Sequence, residues 1–169
     1  MLQLLQMLFS HFLWKLEHSM LCFNLSPLFI PTVWVIGLLP HTFSVLLISY
    51  YGAPFTNVIP RSNFNDLDAK GVPKHIQRIA EKCQGAHRNG HECFPLFVGA
   101  VLTMNLSSLP YYKRNLYGLS YAILRILFNT LYITVSSERI SLLRSLVWNI
   151  ANILTFVMVI ESVLASMPF

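Results

Sequence analysis

The chain has 169 residues, of which 54% are hydrophobic and only 11% charged, and its mean hydropathy is +0.55. Soluble domains carry about 25% charged residues, so this deficit excludes an ordinary water-soluble domain and indicates a protein that is solvated by lipid. The net charge of +5 lies in a few short stretches. It does not form the dense basic face that is typical of nucleic-acid-binding proteins. Three cysteines without CxxC spacing do not predict a disulfide framework.

The first 26 residues form an apolar extension that Lys15, Glu17 and His18 interrupt. This pattern predicts an amphipathic helix in the membrane interface or a signal-like segment. The basic start of a standard signal peptide is absent from it. We therefore separate residues 1–26 from a membrane domain over residues 27–167.

The membrane domain contains four stretches that are long and apolar enough to cross a hydrocarbon core roughly 30 Å thick, which takes about 20 helical residues. They cover residues 27–51, 93–112, 115–137 and 142–167. A backbone in lipid must satisfy its own hydrogen bonds, so these stretches are predicted to be helices. The predicted fold is all-α, an integral membrane four-helix bundle.

The basic residues predict the orientation of this bundle. Half of them lie between the first and second spans, at Arg61, Lys70, Lys74, Arg78, Lys82 and Arg88, and Arg139 and Arg144 lie at the third connection. Cytosolic connections carry the excess of Lys and Arg. The first and third connections are therefore predicted to face the cytosol, and both termini the other compartment.

The stretch AHRNGHECFPLF, residues 86–97, places polar side chains where the second span begins. Arg88 and Glu92 are spaced i and i+4, so they can form an ion pair on one helix face, with Asn89 nearby. One interpretation is a solvated helix end held by ion pairs. The other is the wall of an anion-binding pocket.

The third span carries Arg125, Asn129 and Tyr132 on one predicted helix face. An arginine inside the membrane costs at least roughly 2.5 kcal/mol unless it is paired, hydrated or bound to a ligand. A salt bridge to Glu92 or Glu161 is the structural interpretation. The functional one is a carboxylate-binding arginine, because a guanidinium binds carboxylates through two parallel hydrogen bonds.

The fourth span begins with Arg144 and Ser145, a cation and a hydroxyl that can both donate to one anion. A nearby guanidinium favours the thiolate form of a thiol, which is the nucleophilic form. Arg139 is a rival for this role. The alternative is that Arg139 and Arg144 only set the membrane orientation.

Cys83, His87 and His91 are spaced i, i+4 and i+8, which puts them on one possible zinc-binding face. The segment HRNGHE is not an HExxH motif, and the sequence has no other strong ligand cluster. No metal site is predicted.

These segments together resemble the MAPEG family, the membrane-associated proteins in eicosanoid and glutathione metabolism. AHRN followed three residues later by Glu92 resembles prostaglandin E synthase of microsomes, and ECFPLF resembles leukotriene-C synthase. The run from Arg125 through Asn129 to Tyr132 and the segment RSLVW at Arg144 resemble the family's third and fourth helices. IPRSN, residues 59–63, is similar to a stretch of small fungal and bacterial members.

The resemblance implies a homotrimer in the endoplasmic reticulum that binds glutathione between subunits near the cytosolic surface. It implies that Arg88, Asn89, Glu92, Arg125 and Tyr132 contact glutathione, and that Arg144 and Ser145 act at its sulfur. The sequence departs from the family at Gly85, where several glutathione-using members have arginine, and at Trp148, where one branch has tyrosine.

The function implied is a membrane-bound glutathione-dependent transferase, with peroxidase or isomerase activity as variants. The glutathione thiolate would attack a lipophilic electrophile that arrives from the membrane. The alternative is a non-catalytic member that binds lipid or protein, or that assists a biosynthetic enzyme. The basic residue missing at Gly85 favours this alternative.

Overall fold

A computed structural model describes residues 22–167, and the predicted extension lies almost entirely outside the described residues. Four α-helices account for most of the described chain: α1 (Phe29–Tyr50), α2 (Lys74–Leu106), α3 (Tyr111–Thr134) and α4 (Glu138–Ser166). Short 3-10 helices lie at Ser26–Leu28 and Pro60–Phe64. The all-α prediction is confirmed.

Three helical segments are long and apolar enough to cross a membrane, Ser26–Tyr50, Tyr111–Thr134 and Glu138–Ser166. The helix α2 differs because its charged residues all lie before Cys93. The uncharged residues 93–106 rise only about 21 Å at about 1.5 Å per residue. Only this part of the second predicted span lies inside α2, and it is shorter than a full hydrocarbon core.

The span boundaries shift for a local reason. The second span was predicted to continue to residue 112, but α2 ends at Leu106 and α3 already begins at Tyr111. Pro110 at the start of α3 fits a helix N-terminus, because proline lacks the N–H that an interior position needs. The absence of charge alone could not reveal this turn, since Ser107, Ser108 and Pro110 are uncharged, although serine and proline are typical turn residues.

The helix α1 packs against α2 and α3, while α4 packs against α2 and α3 from the other side. At the crossing of α1 and α2, a Cβ atom added to Gly90 would lie 3.2 Å from the Cα of Gly37. Small residues let helix backbones approach closely in membranes, where the hydrophobic effect does not drive association. Toward the opposite end of the bundle, the rings of Phe97 and Tyr121 stack with their centroids 4.1 Å apart.

The IPRSN segment forms the 3-10 helix in the loop before α2. Asn63 is 97% buried there, at 3% exposure, and its side chain holds the loop together. Its Oδ1 accepts from the Thr56 N–H at 2.9 Å, and its Nδ2 donates to the carbonyls of Thr56 and Pro60 at 2.9 and 2.7 Å. The loop therefore covers one side of α2 in a fixed shape.

Pro40 lies inside α1 and cannot donate to the carbonyl of Ile36 four residues earlier. The Nδ2 of Asn129 on α3 donates to this Ile36 oxygen at 2.9 Å. A backbone carbonyl without a donor is costly in lipid. The proline and the asparagine thus form one interaction that fixes α1 against α3.

We expect Asn129→Leu to lower the free energy of unfolding in detergent by about 1–3 kcal/mol, the cost of an unsatisfied buried polar group. In a Pro40→Ala background the backbone N–H of residue 40 can reach the Ile36 carbonyl. The cost of Asn129→Leu should then fall. A double-mutant cycle of thermal stability measures this coupling, and equal costs in the two backgrounds would contradict it.

Candidate functional site

Successive residues of α2 point about 100° apart around the helix. Asn89 turns toward α3, where it meets Arg125, whereas Arg88 and Glu92 point toward the loop before α2. The segment AHRNGHE thus supplies polar groups to two separate clefts. The sequence had predicted that these polar groups line a single pocket.

Arg125 lies between helices with only 2% of its surface exposed. Its Nη1 donates to the Oδ1 of Asn89 at 3.0 Å, and its guanidinium carbon lies 4.7 Å from the centroid of the Phe128 ring. Its Nη2 is buried without a hydrogen-bond partner among the described residues. The salt bridge to Glu92 or Glu161, the structural interpretation of this arginine, does not form among the described residues. Glu161 pairs with Lys113 at 3.1 Å instead.

The first cleft opens between α2, α3 and α4, and we call it the arginine cleft. Its volume is about 390 Å³, and it is lined by Asn89, Phe128, Tyr132, Arg144, Ser145, Trp148 and Asn149. The Arg144 guanidinium lies over the Tyr132 ring, 4.5 Å from its centroid. No carboxylate within residues 22–167 forms an ion pair with Arg144. Its charge is therefore available to an anion.

Tyr132 reaches its place because residue 85 is a glycine. A Cβ atom added to Gly85 would lie 2.6 Å from the Tyr132 Oη and 2.9 Å from its Cζ. Real side chains essentially never approach so closely. The phenol end therefore lies against the α2 backbone, and the ring face holds Arg144.

The second cleft lies between α1, α2 and the loop, and we call it the histidine cleft. It encloses about 660 Å³ and contains Arg61, Arg88 and Glu92 together with His41, His87 and His91. The His41 and His87 rings stack at 4.9 Å, and His87 meets His91 edge to face at 4.5 Å. The expected Arg88–Glu92 ion pair is absent among the described residues.

The imidazoles of the histidine cleft have defined surroundings. The Nδ1 of His87 lies 2.8 Å from the Gly37 carbonyl oxygen, which can only accept, so this nitrogen carries the proton. Burial, followed by the nearby His87 and His41, lowers the pKa of His91. Within the described part of the chain, no three His, Cys, Asp or Glu side chains lie close enough to hold a metal ion.

Cys83 and Arg139 lie outside both clefts. Burial raises the pKa of the Cys83 thiol to about 11, so the thiol stays protonated at neutral pH. A thiol that stays protonated is a poor nucleophile. Arg139 is exposed in the first turn of α4, while Arg144 lies one and a half turns further along, inside the arginine cleft.

Four of the predicted residues thus line one cleft: Asn89, Tyr132, Arg144 and Ser145. Arg125 lies behind this cleft and touches it through Asn89 and Phe128. Arg88 and Glu92 do not line it and lie in the histidine cleft instead. Asn129, predicted on the same face as Arg125, instead contacts α1.

Sequence reasoning missed Asn149, which also lines the arginine cleft. It lies four residues after Ser145, and its Nδ2 donates to the Ser145 carbonyl at 2.8 Å. The i to i+4 spacing from Ser145 was the signal that could have identified it.

The model of the MAPEG family matches residues 58–164, which is more than half of the chain. No curated protein and no solved structure matches the chain. The matched range includes α2, α3 and nearly all of α4, and with them every residue that lines the arginine cleft. This integral membrane helical bundle belongs to the MAPEG family.

Proposed function

We propose that the protein is a membrane-bound glutathione-dependent transferase that acts on a lipophilic electrophile at the arginine cleft. Family membership supports glutathione-related transferase or isomerase chemistry in general. The observation that carries the specific proposal is the pair Arg125 and Arg144. Neither guanidinium has an acidic partner among the described residues, and glutathione brings two carboxylates and an ionisable thiol.

The described side chains fit this ligand. Arg144 has no ion-pair partner, and the hydroxyl of Ser145 lines the same cleft. Both can donate hydrogen bonds to a sulfur anion, and a cation close to a thiol favours the thiolate. Glutathione supplies the nucleophilic sulfur, and Arg144 and Ser145 hold it in its reactive form.

The remainder of the ligand would be bound deeper in the bundle. Asn89 links the cleft to Arg125, whose buried Nη2 lacks a partner among residues 22–167. A carboxylate reaching this region would neutralise the buried charge. Such compensation matters because an unpaired charge is expensive in a low-dielectric interior.

The proposal includes a homotrimer in the endoplasmic reticulum with its glutathione sites toward the cytosol. Arg88 and Glu92 do not line the arginine cleft of their own chain. In the trimer they would contact a glutathione molecule held by the neighbouring copy. The arginine cleft itself is open along one side, which leaves room for an apolar electrophile to enter from the membrane.

We expect Arg144→Ala to lower kcat/KM for the conjugation of glutathione to a chlorodinitrobenzene by about 10- to 150-fold. This is the loss of one charged hydrogen bond of about 1.5–3 kcal/mol. Absorbance of the conjugate formed by purified protein measures it. Arg139→Ala is the discriminating variant: if it abolishes conjugation while Arg144→Ala does not, Arg139 is the thiolate partner and the cleft assignment is wrong.

We also expect glutathione to stabilise the detergent-purified protein by about 2.7 kcal/mol at a concentration a hundredfold above its dissociation constant. Arg125→Ala should remove most of this stabilisation, because it removes the buried cation. Thermal unfolding with and without millimolar glutathione measures both effects. A wild-type protein that glutathione does not stabilise would favour the non-catalytic lipid- or protein-binding alternative.

A further inference from the structure

We infer that Gly85 is a positioning residue that sets where Arg144 lies in the arginine cleft. It leaves room for the Tyr132 ring against the α2 backbone, and this ring in turn contacts Arg144. The identity of the ligand as glutathione rests on the proposed function. The structural coupling between Gly85, Tyr132 and Arg144 is independent of it.

The first step is the contact between Gly85 and Tyr132. Three atoms of the phenol end lie 2.6–2.9 Å from the place that a Cβ at residue 85 would take. The helix cannot retreat from this contact, since its neighbouring residues Cys83 and Ala86 are fully buried against other elements. Tyr132 is only half-buried and has the open cleft beside it. Any side chain at residue 85 would therefore displace the tyrosine ring.

The second step is the contact between Tyr132 and Arg144. The guanidinium lies over the ring at 4.5 Å, a distance at which a cation is attracted to the aromatic face. No ion pair to Arg144 competes with this contact in the described part of the chain. The ring therefore sets the position of the charge without neutralising it. Displacing Tyr132 would move Arg144 and fill part of the cleft.

The place of the cation in the cleft follows from these two contacts. A long side chain on α2 at residue 85 and the Tyr132 ring in its present place exclude each other sterically. With glycine at residue 85 the ring keeps its place, and Arg144 lies over it, beside Ser145 on α4. Gly85 therefore fixes the position from which Arg144 meets an anionic ligand.

The test compares Gly85→Ala with Gly99→Ala, a matched control in the same helix. A Cβ at Gly99 would meet nothing within 4 Å. Both substitutions remove a helical glycine and should gain the same helix propensity. We expect Gly99→Ala to raise Tm or leave it unchanged, with KM for glutathione unaltered. Gly85→Ala should lower Tm relative to Gly99→Ala and raise KM for glutathione about 2- to 30-fold, the loss of one cation–π contact.

Tyr132→Ala provides the rescue. In this background the ring is absent, so Gly85→Ala should carry no further penalty in Tm relative to Gly99→Ala. The Tm comparison needs no glutathione, so it tests the coupling even if glutathione fails to stabilise the wild-type protein. The inference is overturned if Gly85→Ala behaves like Gly99→Ala in the otherwise unchanged chain. It is also overturned if the penalty persists without Tyr132.

Discussion

The guanidinium of Arg125 is surrounded by an amide oxygen on α2 and an aromatic ring on its own helix, with only 2% of its surface exposed. Neither neighbour carries a negative charge. A membrane bundle tolerates a buried cation only when hydrogen bonds, water or a ligand replace its hydration. Here the Asn89 hydrogen bond holds α2 and α3 at a fixed separation, and both partners of Arg125 also line the arginine cleft. The positive charge of Arg125 therefore acts on the arginine cleft, although the side chain lies behind the residues that line the cleft.

The acidic residues of the spans do not compensate this charge. Glu161, the acid in the second half of α4, pairs with Lys113 near the start of α3. That ion pair lies toward the other end of the bundle, since α3 runs from Tyr111 and reaches Arg125 several turns later. The region around Arg125 and Arg144 consequently keeps an excess of positive charge, which is the electrostatic basis for binding an anion there.

The close packing around this region depends on glycines, which lack a side chain, and on a proline, which lacks a backbone N–H. Gly37 and Gly90 let α1 and α2 touch through their backbones, and Gly85 lets a phenol ring rest on α2. Pro40 withholds a backbone donor, and Asn129 on α3 replaces it. Each of these residues also fixes the position of a neighbouring side chain. Asn129 is engaged by α1, so Arg125 finds its amide partner in Asn89 instead.

Much of the fold followed from the sequence because lipid restricts the choices. The shortage of charged residues and the four apolar stretches are sufficient to predict a helical membrane bundle. Stretches of this length can satisfy all of their backbone hydrogen bonds in lipid most simply as helices. The boundary between α2 and α3 was misplaced, because the span was identified by its lack of charge, and the turn residues Ser107, Ser108 and Pro110 are also uncharged. Serine and proline are common in turns, so the sequence did contain a signal for the reversal.

The sequence by itself determined the helical class, the family and the presence of Arg125 and Arg144 within apolar runs. These depend on composition and on spacing along one chain. Only the tertiary structure decided that Asn89 and Glu92 face different clefts, that Asn129 contacts α1, and that Gly85 contacts Tyr132. These depend on the rotation of each helix about its axis and on its distance from its neighbours. Those two quantities are set by packing between segments that are far apart in the sequence.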